Sequence, residues 1–364
     1  MTEQPAFLPQ WVSAPGDTIA DLLAERGGSP AELAVQIGET RDFVDALLTG
    51  TVALTMGIAL KLEAAFGIPA AFWARRESSY RASLARREVA DSVEAREAWI
   101  RSLPLRDMVA FGWLRGLPTS VEERARACLR FFDEPDLLSW RGRYGEVAPQ
   151  VAFRASPSFD SDAAALAAWL RMGEIEAEAA ACGLWNPEDF KAAMPAIRAL
   201  TKCKDPSVFV PELKRLCGTA GVVVAIVRAP TGCRASGATL FVSPEKALLM
   251  LSFRYLSDDH FWFTFFHEAG HLLLHGSEGL ILEGADGQPG EVEVEANDYA
   301  AHVLVPPAFE RDMLDLPVNA REVVRFATRI GVSPGIVVGQ MQHRGRFTRR
   351  QLNDLKRRYV WASD

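Results

Sequence analysis

Residues 266–276 read FHEAGHLLLHG, three histidines and one glutamate in an otherwise apolar run. The whole chain of 364 residues has only six histidines, and half of them fall within these few positions. Titratable groups in an apolar setting are costly unless something organises them. The helical pattern extends upstream to give SDDHFWFTFFHEAGHLLLHG (257–276), with Ser257 as cap, Asp258 and Asp259 in the first turn and Gly276 at the end. The apolar window is too short for a membrane span and carries Glu268 at its centre, so it reads as a buried helix.

His267 and His271 are four residues apart, about 400° around a helix axis, which stacks both imidazoles on one face within reach of one ion. Glu268 then points along the cleft where an activated water would lie. This H-E-x-x-H spacing is the zinc-peptidase arrangement, with the glutamate as general base. A third ligand is expected on the next helix, EVEVEANDYAAHVLVPP (291–307), which offers Glu291, Glu293 and Glu295. Glu295 is preferred because the small and apolar residues after it let that helix pack tightly. His275 lies two turns beyond His267, too far to share the ion, and reads as a cap of the helix end. Candidates for stabilising an oxyanion are His302, Tyr299 and His260.

Around this helix the periodicity changes. GVVVAIVRAP (221–230) and ALLMLSF (247–253) are short aliphatic runs separated by the turn-rich TGCRASGA, which predicts a small antiparallel sheet. The second run is expected to border the cleft as an edge strand and hold an extended peptide by main-chain pairing. SEGLILEGADGQPGE (277–291) reads as a polar, glycine-rich loop.

The N-terminal part reads as consecutive short helices: SPAELAVQIG capped by Ser29, ETRDFVDALLTG capped by Thr40, and LTMGIALKLEAAFGI capped by Thr55. Residues 81 to about 215 stay helical in character, a scaffold without evident chemistry. Five cysteines (Cys128, Cys182, Cys203, Cys217, Cys233) form no C-x-x-C pair and argue against disulfides or a thiolate metal site. The opening MTEQPAFLPQWVSAPGD lacks the pattern of a secretory signal, and a cytoplasmic location is expected. The fold class is mainly α with a small α+β part.

FTFFHEAGHLLLHG followed by EVEANDYAAHVLVP resembles the ImmA/IrrE family of metallopeptidases, whose pattern is H-E-x-G-H and then E-A-N-x-F/Y-A-A-x-L-x-P. The resemblance implies Zn2+ held by His267, His271 and, most simply, Glu295, with Glu268 as catalytic base. Residues 15–73 are similar to the helix-turn-helix of XRE-type, HigA-like antitoxins, which would make Ser29, Thr40, Arg41 and Thr49 candidate DNA contacts. The combination is seen in bacterial regulators of stress responses and toxin-antitoxin systems, and implies an endopeptidase that cuts a helix-turn-helix repressor. The expected organisation is a helix-turn-helix domain over 1–80, a helical connection over 81–205, a peptidase domain over 206–310 and a basic helical extension over 311–364.

Charge qualifies the DNA reading. Residues 1–80 hold five basic residues (Arg26, Arg41, Lys61, Arg75, Arg76) against ten acidic ones, an unfavourable footprint for phosphate. The basic run RGRFTRRQLNDLKRR (344–358) offers either a phosphate contact or a solvated helical face. Two function classes stand side by side: a zinc endopeptidase with a protein substrate, and a non-proteolytic, DNA-binding regulator or antitoxin whose peptidase-like part senses a ligand. The intact Glu268 favours the enzyme, since a sensor needs no general base. DNA and a second copy of the chain, as a homodimer, are the further partners this reading admits, and no membrane is expected.

Overall fold

The computed structural model describes residues 13–90, 92–144, 162–276, 281–283 and 290–361. The chain divides into two compact units, residues 1–98 with 134–142, and residues 99–133 with 143–364.

The first unit is built mainly of α1 (Pro15–Glu25), α2 (Pro30–Ile37), α3 (Arg41–Leu48), α4 (Met56–Phe66) and α5 (Ala70–Ala90). Each expected cap forms, with the hydroxyls of Ser29, Thr40 and Thr55 accepting from the backbone N–H of Glu32, Phe43 and Ile58. Helix α2 ends at Gly38, whose left-handed φ of 65° turns the chain into α3 within three residues. Ile19, Leu33, Ile37, Val44, Leu47, Leu62, Phe66 and Trp73 meet in one core.

Helices α6 (Val93–Ser102), α7 (Leu105–Ala110), α8 (Val121–Phe132) and α9 (Leu137–Tyr144) follow, then α10 (Ala163–Ala179), α11 (Pro187–Leu200) and α12 (Pro206–Gly218). The sheet of the second unit comes next, made of β1 (Val222–Ile226), β2 (Gly237–Ser243), β3 (Lys246–Leu251) and β4 (Ile281–Glu283) in the order β1-β3-β2-β4. It is mixed rather than wholly antiparallel, because β1 and β3 run parallel. Strand β2 starts at the end of the stretch read as turns, and β4 lies inside the stretch read as loop. Residues 277–280 and 284–289 of that stretch lie outside the described residues.

Strand β3 pairs with β1 on one side and β2 on the other, so residues 247–253 do not form the expected edge strand. Ala247 through Leu251 are all buried, and the aliphatic run is that of a strand covered on both faces. Alternation divides the sheet between two cores. Val222, Val224, Leu249 and Leu251 face α11, α12 and the aromatic residues of 258–274, whereas Val223, Ala225, Leu248 and Met250 face Trp169 and Leu170 of α10. Trp169 also donates its indole N–H to the Val227 carbonyl at 2.9 Å. The helices α10 and α11, read from sequence as part of a connection, therefore pack in the same unit as the sheet.

Helix α13 (Asp258–Leu274) crosses beneath the sheet, α14 (Glu291–Leu304) lies against it, and α15 (Glu310–Leu314), α16 (Ala320–Ile330) and α17 (Pro334–His343) complete the unit. The first turn of α13 is tied down by the C-terminal segment. Asp258 is fully buried and accepts from Ser333 Oγ at 2.7 Å and from the Arg357 N–H at 3.0 Å. Burial pushes its carboxyl above the usual carboxylate range, although these two bonds pull it down. Lys356 Nζ meets Asp259 at 2.6 Å with both side chains nearly buried, and Ser257 Oγ donates to the same carboxylate rather than capping the helix. Gly335 and Gly339 of α17 leave room for the two aspartates, since a Cβ at either glycine would collide with them.

The basic run 344–358 is not a helical face, and it divides: Arg346, Arg349 and Arg350 are exposed, whereas the other basic residues have partners within the chain. Arg357 donates to the carbonyls of Thr201, Lys202 and Cys203, Arg344 pairs with Glu310, and Arg358 donates to the Tyr255 carbonyl. Lys356→Met should destabilise the protein by about 3–5 kcal/mol, since it strands a buried carboxylate. Urea unfolding measures this, and adding Asp259→Asn should return much of the loss. An unchanged denaturation midpoint in the single variant would contradict the buried pair.

Candidate metal centre

Helix α13 places His267, Glu268 and His271 with their side chains 1%, 0% and 0% exposed as residues. The two imidazoles converge as the four-residue spacing predicts, with their Nε2 atoms 3.0 Å apart. The third partner is Glu293, not Glu295: its carboxylate oxygens lie 3.3 Å from His267 Nε2 and 3.4 Å from His271 Nε2. Donor atoms of a tetrahedral zinc site about 2.0–2.1 Å from the metal are about 3.3 Å apart, so these three separations fit one such ion. Among the described residues, His267, His271 and Glu293 form a group able to hold a metal.

The rotation of α14 explains why Glu295 does not take this place. The buried stripe of that helix is Ala296, Ala300 and Leu304, and Glu293 extends it backward at helical spacing. Glu295 lies about 200° around the axis from Glu293 and instead meets His275 Nε2 at 2.9 Å, with its side chain 62% exposed. The stripe was visible in the sequence as small or apolar residues at positions 296, 300 and 304, and carrying it back three residues reaches 293. The glycine of the motif permits the close approach: a Cβ on Gly270 would press on the Ala296 Cα and the Tyr299 ring at 3.1–3.3 Å.

Outer partners orient both imidazoles. His267 Nδ1 lies 3.1 Å from Asn297 Oδ1, one turn after Glu293 on the same face, so the ring N–H donates there and Nε2 keeps its lone pair for a metal. Asn297 is the asparagine of the E-A-N stretch in the family pattern. His271 Nδ1 lies 3.1 Å from His275 Nδ1. His275 is also the C-cap residue of α13, as expected, with its N–H donating to the His271 carbonyl.

Electrostatics agree with the geometry. Burial lowers the His271 pKa below the ordinary histidine range, against the pull of Glu293, and so favours the neutral ring that a metal requires. For Glu293, burial pushes upward, but the neighbouring imidazoles of His267 and His271 outweigh it and hold the carboxyl down at about 2.

Glu268 is fully buried beside the pair, and β2 yields the space it occupies. A Cβ at Gly237 would overlap its carboxylate, so the strand passes close to the side chain only because residue 237 has none. No part of the sequence reading singled out Gly237, since the contact is between residues 31 positions apart.

The oxyanion candidates separate. His302 is exposed and lies about 180° around α14 from Glu293, so the structure does not bring it to the pair. Tyr299 packs its ring over Gly270, and burial raises its hydroxyl to about 12. His260 stacks on Tyr255 with ring centroids 4.2 Å apart, and lines a pocket with Ser236, Phe253, Arg254, Tyr255 and Thr264. Thr264 precedes Glu268 by one turn, so this pocket opens along the same helix face as the metal-site residues.

The four candidate DNA contacts of the first unit have internal partners. Ser29 forms a reciprocal capping box with Glu32, Thr40 caps α3, and Thr49 Oγ1 bonds to the carbonyls of Asp45 and Ala46. Arg41 pairs with Asp45 at 2.9 Å. Of the other basic residues, Lys61 pairs with Glu39, Arg26 donates to the carbonyls of Ala65 and Phe66, Arg76 donates to Ser13 and Thr18, and Arg75 is exposed.

An H-E-x-x-H helix packed on a small sheet, with a carboxylate supplied by the following helix, makes a candidate metal site of two imidazoles and one carboxylate. Residues 224–340 match the family model Peptidase_M78, the IrrE N-terminal-like domain, and the chain thus carries a metallopeptidase-type domain of the ImmA/IrrE kind. The matched stretch includes all the residues of the centre and none of the first unit. No curated protein matches the chain. No described helix is long and apolar enough to cross a membrane.

Proposed function

We propose that the protein is a zinc-dependent endopeptidase that cuts a regulatory protein, with a transcriptional repressor of the helix-turn-helix class as the substrate its combination of parts fits best. The observation that carries this reading is the convergence of His267, His271 and Glu293 beside a fully buried Glu268. A metal sensor needs the three ligands but has no use for the fourth group.

In this reading His267, His271 and Glu293 would hold the metal. Bound zinc supplies a Lewis acid that polarises the scissile carbonyl and lowers the pKa of water toward ~7. Glu268 accepts the proton of the attacking water and passes it to the leaving amine, so that the carboxylate ends as it began. Gly237 lets β2 run beside that carboxylate. Because β3 is paired on both sides, substrate pairing with it is not part of this reading.

The first unit serves as the element that recognises a protein partner. We take α2 and α3, two short helices joined by a three-residue turn, as a helix-turn-helix, which favours a role in regulation and admits DNA as a second ligand. The acidic excess and the internal pairing of Arg41, Lys61, Arg26 and Arg76 weigh toward protein over DNA. The site acts in the cytoplasm in this account.

The experiment is incubation of the zinc-loaded protein with the regulatory proteins encoded beside it, followed by intact-mass spectrometry. One internal cut, abolished by a chelator and restored by zinc, is the expected result. If every candidate stays whole while the protein binds operator DNA in a metal-dependent way, the sensor reading replaces the peptidase.

A further inference from the structure

His275 and Glu295 lie outside the three-ligand group, yet both point back to it. His271 Nδ1 and His275 Nδ1 are 3.1 Å apart, and His275 Nε2 is 2.9 Å from Glu295 Oε2. Donors and acceptors along this line have one consistent assignment once His271 Nε2 faces a metal. His271 Nδ1–H donates to the lone pair of His275 Nδ1, and His275 Nε2–H donates to the Glu295 carboxylate. His267 has its own acceptor in Asn297 and takes no part.

We infer that His275 and Glu295 are positioning residues for the metal centre, a carboxylate–imidazole–imidazole chain that fixes the tautomer and orientation of His271 and raises its basicity as a ligand. The inference rests on the proposed zinc site and adds to it. A ligating histidine ordinarily donates its second ring N–H to a carboxylate or carbonyl, and here an intervening imidazole carries that interaction outward by one residue. Helix α14 thereby contributes twice. Glu293 meets the histidine pair directly, and Glu295 reaches His271 through the residue that ends α13. The chain ends at the surface: the Glu295 side chain is 62% exposed while that of His275 is 12% exposed. The relay therefore links a buried ligand to a carboxylate that can be altered without disturbing the core.

The test is the zinc dissociation constant, read by chelator competition on the full chain, for the wild type, Glu295→Gln, Glu295→Ala, His275→Gln and the double variant His275→Gln/Glu295→Ala. Glu295→Ala and His275→Gln should each weaken zinc binding by about 10–100-fold, the range of an outer-shell partner, with Glu295→Gln falling between them and the wild type because its amide oxygen still accepts. The double variant should bind no more weakly than His275→Gln alone, since Glu295 acts only through His275. Apo-protein melting temperatures should stay close to wild type for the Glu295 variants, which separates positioning from support of the fold. Equal zinc affinity in wild type and Glu295→Ala, or fully additive losses in the double variant, would overturn the relay while leaving the three-ligand site standing. A wild type that binds no zinc would overturn both. Should His275→Gln fail to fold, the exposed Glu295 substitutions decide the matter alone.

Discussion

Glu268→Gln protein should cleave its substrate at least ~10²-fold more slowly than wild type while binding zinc with unchanged stoichiometry. Glu268 is not among the three groups whose donor atoms converge, so its replacement removes no ligand. Glutamine has nearly the same shape and still fits beside Gly237, where a larger side chain would not. Only the ability to accept a proton from water is lost. Rates are measured on the intact substrate by mass spectrometry, with metal content determined on the same samples. Equal rates in the two proteins would exclude Glu268 as general base and with it the zincin mechanism. Loss of both metal and activity would show that Glu268 shapes the site rather than the chemistry.

Glu293→Gln should weaken zinc binding by more than ~100-fold, beyond what the loss of an outer-shell partner produces. Two imidazoles from one helix would remain, and α14 would no longer contribute a charged donor. The carboxylate that this substitution removes is held ionised by His267 and His271, with its carboxyl at about 2, so it is fully charged at neutral pH. Glu295→Gln provides the control, because it leaves the three converging groups intact and alters only the outer chain. The order of zinc affinity should be wild type, then Glu295→Gln, then Glu293→Gln. The reverse order would restore Glu295 as the ligand and require α14 to rotate by about half a turn from its position here.

The first unit shows how a sequence resemblance and a physical requirement can diverge. Its caps, glycine stop and apolar positions form helices as read, but a phosphate-binding surface needs cations that are available to a ligand. Arg41, Lys61, Arg26 and Arg76 each have an internal acceptor, which leaves exposed Arg75, and Ser29, Thr40 and Thr49 are occupied in capping or turn hydrogen bonds. Local pattern alone does not reveal whether a surface cation is already paired, because the partners of Lys61 and Arg76 are 22 and 63 positions away.

What the amino-acid sequence determined by itself was local. The period of the α-helix places His267 over His271 and sets Glu268 beside them, and side-chain oxygens three residues before a free N–H make the caps at Ser29, Thr40 and Thr55. Those relations depend on spacing along one element and survive any arrangement of the rest. The tertiary structure decided everything that depends on how one element meets another. Which of the glutamates of α14 reaches the imidazoles follows from the rotation that buries Ala296, Ala300 and Leu304, with Gly270 allowing the approach. Strand β3 became central because β1 and β2 both pair with it, and the room for Glu268 exists because β2 brings a glycine to that point. Lys356 and Arg357 of the basic segment turn inward because Asp258 and Asp259, nearly a hundred residues earlier, need donors once the first turn of α13 is buried. A single sequence shows the groups, but burial decides which of them must find partners and where.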